Sequence, residues 1–492
     1  MRSSLAELAP ESTGLKIRIT TAATLAVLTA GAVYLLIGLY APEPTTLCAS
    51  AGSPGGFTKC EESQACEYIL QGKPAQIKFD YDNWTQQYNM VCENAGKRQF
   101  AKSLFLFVSY CAAGLLISLT ELFGIKKLVT LTALLAIGGT GIGTFVDDYT
   151  MKLLMYGIAG AGPLVYASLF TIAFSELLPS ESTPDGKLLP LVFAANPLGI
   201  LLFSMVFTFV TTSPTVLAWI TLVTTVITSF LPVIVMPESP IYLLRKNKIP
   251  EFCQVIKDIR DQDPNLSKVP QSELQQKAQE LATEHAPLIE TEAERSLSKQ
   301  ISVFSSQYIG LLLSMTLLVT VSTIIFLALG LNLNLLGTGS PGLNSVIYYG
   351  VGSGSGLCYL GIRRYFKTRK WLMILIGMQL FGGVLLVVFG KMGLLEGQNT
   401  GQKLLNLFIT VGIIGVPSFM IFAPTFAHLS ELFPEQIVGT ASSLVLLISN
   451  IIGSATPQLA SYSKEHTPHF AILSSALTII PLITLSFHKD TR

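Results

Sequence analysis

Four of the seven cysteines, Cys48, Cys60, Cys66 and Cys92, fall in a single loop. Thiols clustered in this way form disulfides when they face an oxidising compartment, and four cysteines allow three pairings. Zinc is the weaker reading, because zinc favours close CxxC pairs and the loop holds no histidine. Cys111, Cys253 and Cys358 are scattered, two of them in apolar runs. None of His285, His428, His466, His469 and His488 pairs with another at metal-ligand spacing on a helix. The glycines of residues 350–356 are no phosphate loop, since no Lys-Ser/Thr follows them. These residues suggest no enzyme, no metal and no cofactor.

A second group of candidates consists of polar side chains inside apolar runs. Asn196 and Asn450 offer a donor and an acceptor without net charge. Tyr110, Tyr166, Tyr348 and Tyr349 can stack on a solute or face a cation. The competing role for all six is hydrogen bonding between helices. A third group is charged and sits at the ends of the runs. Glu121, Glu176 and Glu431 lie there, with Lys126, Lys127, Arg363 and Arg364 in nearby loops.

The elements that position these residues follow from hydropathy. A soluble chain carries about 25% charged residues, whereas this chain of 492 residues carries 13%, with a mean hydropathy of +0.54. Lipid offers backbone groups no partner, so the apolar runs must be helices or a closed barrel. Barrel strands alternate apolar and polar residues, and these runs do not. The net charge of +1 gives no reason to expect a nucleic-acid partner. The first apolar run is too long for a cleavable signal peptide and has no small-residue cleavage site behind it.

Candidate spans are Ile19–Tyr40, Ser103–Leu119, Leu128–Phe145, Leu153–Phe174, Leu188–Thr211 and Leu217–Val235 in the first half. The second half offers Tyr308–Leu329, Ser345–Ile362, Trp371–Gly390, Leu405–Ala427, Ile437–Leu459 and Phe470–Phe487. The expected organisation is a tail (1–18), a six-helix half (19–236) with the Cys loop at 41–102, a linker (237–307), a second six-helix half (308–487) and a tail (488–492). Lys126–Lys127 and the basic cluster at 363–370 fall on one side, together with both termini and the linker. The positive-inside rule makes that side cytoplasmic, or its organellar equivalent, and places the Cys loop opposite. The plasma membrane and an organellar inner membrane both fit. Gln271–Gln300 reads as a surface helix or helix pair, and Asn83-Trp84-Thr85 is a glycosylation sequon.

The chain also repeats itself. Phe174–Pro179 after span 4 matches Leu429–Pro434 after span 10 in class at five of six positions. Gly124–Lys127 after span 2 matches Gly361–Arg364 after span 8. Ala195–Gly199 in span 5 matches Ser449–Gly453 in span 11. Parallel repeats of this kind hold a substrate between their halves near the bilayer midplane.

On these residues the chain resembles the major facilitator superfamily and, within it, the organic cation/anion transporters. Tyr88–Ala95 resembles that family's "LVC-N" segment before span 2, Pro237–Leu244 its "PESPRWL" after span 6, and Glu431–Pro434 its "ELYP". Leu331-Asn332-Leu333 resembles the "LNL" ending span 7. The resemblance implies an all-α fold of two pseudo-repeated six-helix halves. It also implies an inner acid–arginine latch, and here the pattern departs. Ile117 replaces the glycine, Glu121 the aspartate, and Leu122, Ile125 and Val438 the arginines; Ser353 stands for the acid of span 8. Losing arginines removes bidentate partners from the carboxylates. In span 11, where the family places a charge matching its substrate, this chain has Asn450.

No expected span carries an Asp, Glu, Lys or Arg in its interior. Such charges mark ion or proton coupling. Their absence favours a neutral or zwitterionic organic solute moving down its gradient, with the lipid bilayer and that solute as partners. The alternative is a transport-inactive structural subunit of a larger membrane complex, with other subunits as partners.

Overall fold

The computed structural model describes residues 13–42, 44–49, 57–79, 81–178, 188–261, 270–284, 308–331, 341–362, 365–392, 400–433, 438–459 and 477–486. Among the described residues, nine helices are long and apolar enough to cross a membrane. These are span 2 (Gly96–Ser118), span 3 (Ile125–Phe145), span 4 (Tyr149–Leu177), span 5 (Leu188–Phe209), span 6 (Pro214–Val235) and span 7 (Ile309–Leu331), with spans 9 (Thr368–Lys391), 10 and 11. Span 10 is a broken helix, in which π-helical Phe408–Gly415 leads into Val416–Met420 and Phe422–Leu432. Span 11 covers Val438–Gly453. Span 1 (Thr13–Tyr40), span 8 (Pro341–Ile362) and the described part of span 12 (Leu477–Ser486) bring the fold to twelve. The chain is a multi-pass integral membrane protein with the expected major-facilitator architecture.

Several helices begin earlier than their apolar runs. Span 4 starts at Tyr149 because Asp148 caps it, its carboxylate accepting from the Met151 N–H at 2.7 Å. Span 2 starts at Gly96, so Arg98 and Lys102 lie inside the helix and are buried. Both precede the expected start of this span at Ser103, so the helix is longer at this end than its apolar run. Hydropathy sees the end of an apolar run, but a helix extends into its polar first turns when those side chains find partners.

The segment between spans 1 and 2 is a small folded domain. Strands β1 (Thr45–Ala49), β2 (Phe57–Lys59) and β3 (Ala75–Lys78) form an antiparallel sheet in the order β2-β1-β3. Two disulfides staple it, Cys48–Cys60 and Cys66–Cys92, which selects one of the three pairings. The Arg98 guanidinium locks the domain onto span 2. It pairs with Glu62 of the helix Glu62–Leu70 and donates to the Met90 carbonyl at 2.6 Å. Asn83, the sequon asparagine, is buried, and both ends of its amide are engaged. Its oxygen accepts from the Gln86 N–H at 3.0 Å and its nitrogen donates to the Tyr81 carbonyl at 2.7 Å. That nitrogen has no access to a glycosyl donor in this fold.

The repeat has a physical counterpart in close helix packing. A methyl group added at Gly199 of span 5 would overlap the Leu28 carbonyl of span 1. At the equivalent Gly453 of span 11 it would lie 2.8 Å from the Thr323 methyl of span 7. Small residues let membrane helices approach in this way. On the inner side the linker folds into Pro240–Arg245, Ile249–Arg260 and Gln271–Glu284. Phe252, Ile256, Leu274 and Ala278 form a core among them. The remainder of the expected Gln271–Gln300 element lies outside the described residues.

Candidate functional site: the central cavity

Helical periodicity brings one stripe from each of several spans to a common space. Lys102, Leu106 and Tyr110 recur every four residues on span 2. Phe193, Asn196, Pro197 and Ile200 do the equivalent on span 5, and Thr323, Phe326, Leu327 and Gly330 on span 7. Phe419, Phe422 and Phe426 come from span 10, and Leu446 and Asn450 from span 11. The cavity has a volume of about 180 Å3, with walls from both halves. Helix-breaking Pro163 and Pro197 both face it.

Of the residues singled out from the sequence, Asn196, Asn450, Tyr110 and Tyr349 meet in this lining. The two asparagines face it from opposite halves, as their place in the repeat implies. Tyr166 and Tyr348 are not in the described lining. Tyr166 packs in the N-terminal core against Phe170, with ring centroids 6.2 Å apart. Tyr348 lies behind the wall, against Tyr349 and Phe419 at 5.1 and 4.9 Å, and donates to the Phe326 carbonyl at 3.4 Å. Apolar context alone does not separate the two pairs of tyrosines. Lys102, Ser168, Thr323 and the phenylalanines were missed. The spacing Lys102–Leu106–Tyr110 is the signal that would have found Lys102.

The cavity differs from end to end. Lys102 lies near the start of span 2, at the end that bears the Cys domain, two helical turns or roughly 12 Å above Tyr110. At the inner end Phe193 and Phe426, one from each half, stack with centroids 5.1 Å apart and planes 18° from parallel. Next to this stack, a methyl at Gly356 of span 8 would lie 2.7 Å from the Ala194 methyl of span 5.

The inner-side charges split into two groups. In the N-terminal half, Ser239 donates to Glu176 and accepts from the Tyr242 N–H at 3.0 Å. Glu238 accepts from the backbone of Ser239 at 3.0 Å and of Lys126 at 3.3 Å. Burial, and then the neighbouring Glu238, push the Tyr242 phenol up; it stays protonated and donates to the Leu122 carbonyl at 3.1 Å. Gly124 turns beneath them at φ +82°, where a side chain would meet Glu238 and Tyr242. In the C-terminal half, Glu431 accepts from Thr368 at 3.3 Å and lies 3.4 Å from the His428 ring. Lys126 and Lys127 are exposed, and among the described residues neither forms an ion pair. The side chain of Glu121, and Arg363 and Arg364, lie outside the described residues.

Two six-helix halves around a shared cavity are the architecture of a membrane-transporter fold. The sequence model of the Major Facilitator Superfamily matches residues 99–457, and the chain belongs to that family. No curated protein matches it closely in sequence. Among solved structures it is similar to the proton:xylose symporter XylE bound to 6-bromo-6-deoxy-D-glucose. The two share 13% identity over 97% of this chain and 96% of that one, with a TM-score of 0.68. The partially occluded inward open conformation of XylE from E. coli gives 14% identity over 97% and 98% of the two chains, and a TM-score of 0.64. The human organic anion transporter MFSD10 (TETRAN) gives 13% identity over 96% and 99%, and a TM-score of 0.56. At these identities the likeness concerns the fold.

Proposed function

We propose that this protein carries a small organic solute across the membrane by alternating access, with the central cavity as the binding site. The observation that carries the reading is the cavity, which receives polar side chains from both halves and includes the equivalent residues Asn196 and Asn450. A site shared between halves is what rocking of one half against the other can expose to each side in turn. Where the family's arginine latch is thinned, the Phe193–Phe426 stack and the close packing at Gly356 support an inner closure built from shape. A neutral or zwitterionic solute fits this wall, in which Asn196 and Asn450 offer uncharged donors and acceptors.

The purified chain, reconstituted in liposomes loaded with a mixture of neutral, zwitterionic and anionic solutes, is expected to show counterflow of at least one class. Absence of counterflow for every class would refute the reading. The second reading, a structural subunit, draws on Glu431, whose acid–base contact among the described residues is His428 rather than an arginine. It requires no counterflow together with copurification in a larger assembly.

A further inference from the structure

We infer that the disulfide-stapled domain between spans 1 and 2 is a strap over the seam between the two halves. Tyr81 is its positioning residue: it holds Phe207 of span 5 against Gly342 of span 8, and so favours closure of the cavity at the Cys-domain end. This rests on the reading of the cavity as a carrier's solute site and adds how access to that site is governed.

The chain around Tyr81 is fixed by local bonds. Asn83 caps the short helix Trp84–Gln87, and the Thr85 hydroxyl donates to the Pro42 carbonyl at 2.8 Å. Trp84 is buried against Tyr149 and Tyr156 of span 4, with ring centroids 6.3 and 6.1 Å away. Tyr88 packs on Tyr149 at 4.9 Å and donates to the Asp147 carbonyl at 3.0 Å. With Arg98 of span 2 bonded to Glu62, the domain is held to the N-terminal half at two places. Tyr81 is thereby carried to a third helix of that half, span 5.

There the Tyr81 ring meets Phe207 edge to face, with centroids 5.0 Å apart and planes at 76°. Phe207 is buried, and it also faces the opposite half. A methyl group added at Gly342, in the first turn of span 8, would lie 3.2 Å from the Phe207 ring and would overlap the Thr208 hydroxyl. That hydroxyl is itself tied to the Ser204 carbonyl at 2.7 Å. One apolar cluster joins Trp84 and Met90 of the domain, Phe203 and Phe207 of span 5, and Leu327 and Tyr348 of the C-terminal half. Opening the cavity at this end parts span 8 from span 5 at Gly342 and exposes the face of Phe207, which is unfavourable. A ring already held by Tyr81 loses less freedom when the seam closes than a ring free to turn. The strap therefore biases the equilibrium by about the worth of one aromatic pair, roughly twofold to tenfold in population.

The test measures the separation of the halves at the Cys-domain end in the purified full chain. Spin labels are attached at Thr150→Cys, exposed in the first turn of span 4, and at Met392→Cys, exposed at the end of span 9. Cys111, Cys253 and Cys358 are changed to serine, and the other four cysteines stay paired and take no label. Pulsed electron–electron resonance without solute then gives the distance distribution. Tyr81→Ala is expected to raise the longer-distance population, relative to the shorter, by roughly twofold to tenfold. Tyr81→Phe keeps the ring and should match the unmodified protein. Gly342→Ala, which wedges the seam without touching the domain, should shift the distribution in the same direction as Tyr81→Ala. A Tyr81→Ala protein that melts earlier but keeps its distances would make Tyr81 merely structural and overturn the inference. So would a Tyr81→Phe shift as large as that of Tyr81→Ala, or unchanged distances in Gly342→Ala. If Tyr81→Ala does not fold, Tyr81→Leu is read by the same criteria. The expected shift without counterflow would keep the strap and refute the carrier, and counterflow without the shift would do the reverse.

Discussion

The two halves descend from one pattern but are built to different tolerances. In the N-terminal half, Gly199 brings span 5 against the backbone of span 1, and a disulfide-stapled domain is bolted to span 2 through Arg98 and Glu62. In the C-terminal half, the equivalent Gly453 faces side chains rather than backbone, the Thr323 methyl and Leu327. Span 10 there is interrupted by a π-helical segment before Pro417. A π-helical stretch weakens the regular ladder of a helix, and such interruptions often accompany function; the N-terminal half instead carries prolines inside continuous helices, Pro163, Pro197 and Pro232. The rigid half also carries the charge of the cavity, and the looser half carries most of its aromatic wall. The two halves thus differ both in how closely their paired glycines are packed and in what they contribute to the cavity wall.

The sharpest way to break this comparison is to fill the paired glycines. Gly199→Ala forces a methyl group into a backbone carbonyl and should cost about 3 kcal/mol or more. Gly453→Ala meets a threonine methyl that can give way and should cost less than about 1.5 kcal/mol. Thermal unfolding in detergent measures both, and equal losses would remove the asymmetry. Arg98→Met is next. It leaves Glu62 partly buried and unpaired, at a cost of about 3 kcal/mol, the low end for such a pair because the Glu62 side chain keeps 19% exposure. The loss should appear as early release of the Cys domain, read as faster hydrogen exchange in residues 45–78. Uniform exchange across the chain would mean that the domain is not held at that point.

Phe426→Ala tests the looser half. Removing one ring of the inner stack forfeits about 0.5–1.5 kcal/mol beyond buried area, a shift of roughly twofold to tenfold toward an inward-open cavity. With Cys111, Cys253 and Cys358 changed to serine and Ala167→Cys introduced in the cavity wall, labelling by an impermeant maleimide from the inner side should rise by that factor. Unchanged labelling would mean that the gate lies elsewhere. The smallest effect belongs to Asn450→Asp, which adds a carboxylate to a wall that already contains Lys102. Uptake should move toward cations by roughly twofold to fivefold, the size of a solvent-weakened charge contact. Unchanged relative uptake of cationic and neutral solutes would deny Asn450 a role in selectivity.

The sequence by itself determined the multi-pass membrane character, the helical fold and the two related halves, and it gave the expectation of an oxidising face for the Cys loop. Each follows from a local property: apolar run length, the sign of short loops, spacing at a constant offset, and clustered thiols. It also placed Asn196 and Asn450, because a repeat carries equivalent positions to equivalent places. Tertiary structure decided the rest, because lining a cavity depends on how neighbouring helices rotate and approach. Tyr110 and Tyr349 reach the cavity while Tyr166 and Tyr348 pack behind it, although all four lie in similar apolar surroundings. Lys102 falls where an apolar run ends, and only the extension of span 2 to Gly96 turns it inward beside Leu106 and Tyr110. The pairing of Cys48 with Cys60 and of Cys66 with Cys92 was likewise open until the strands set their register. A one-dimensional pattern records which residues can leave water, and the packing of helices decides which of those meet.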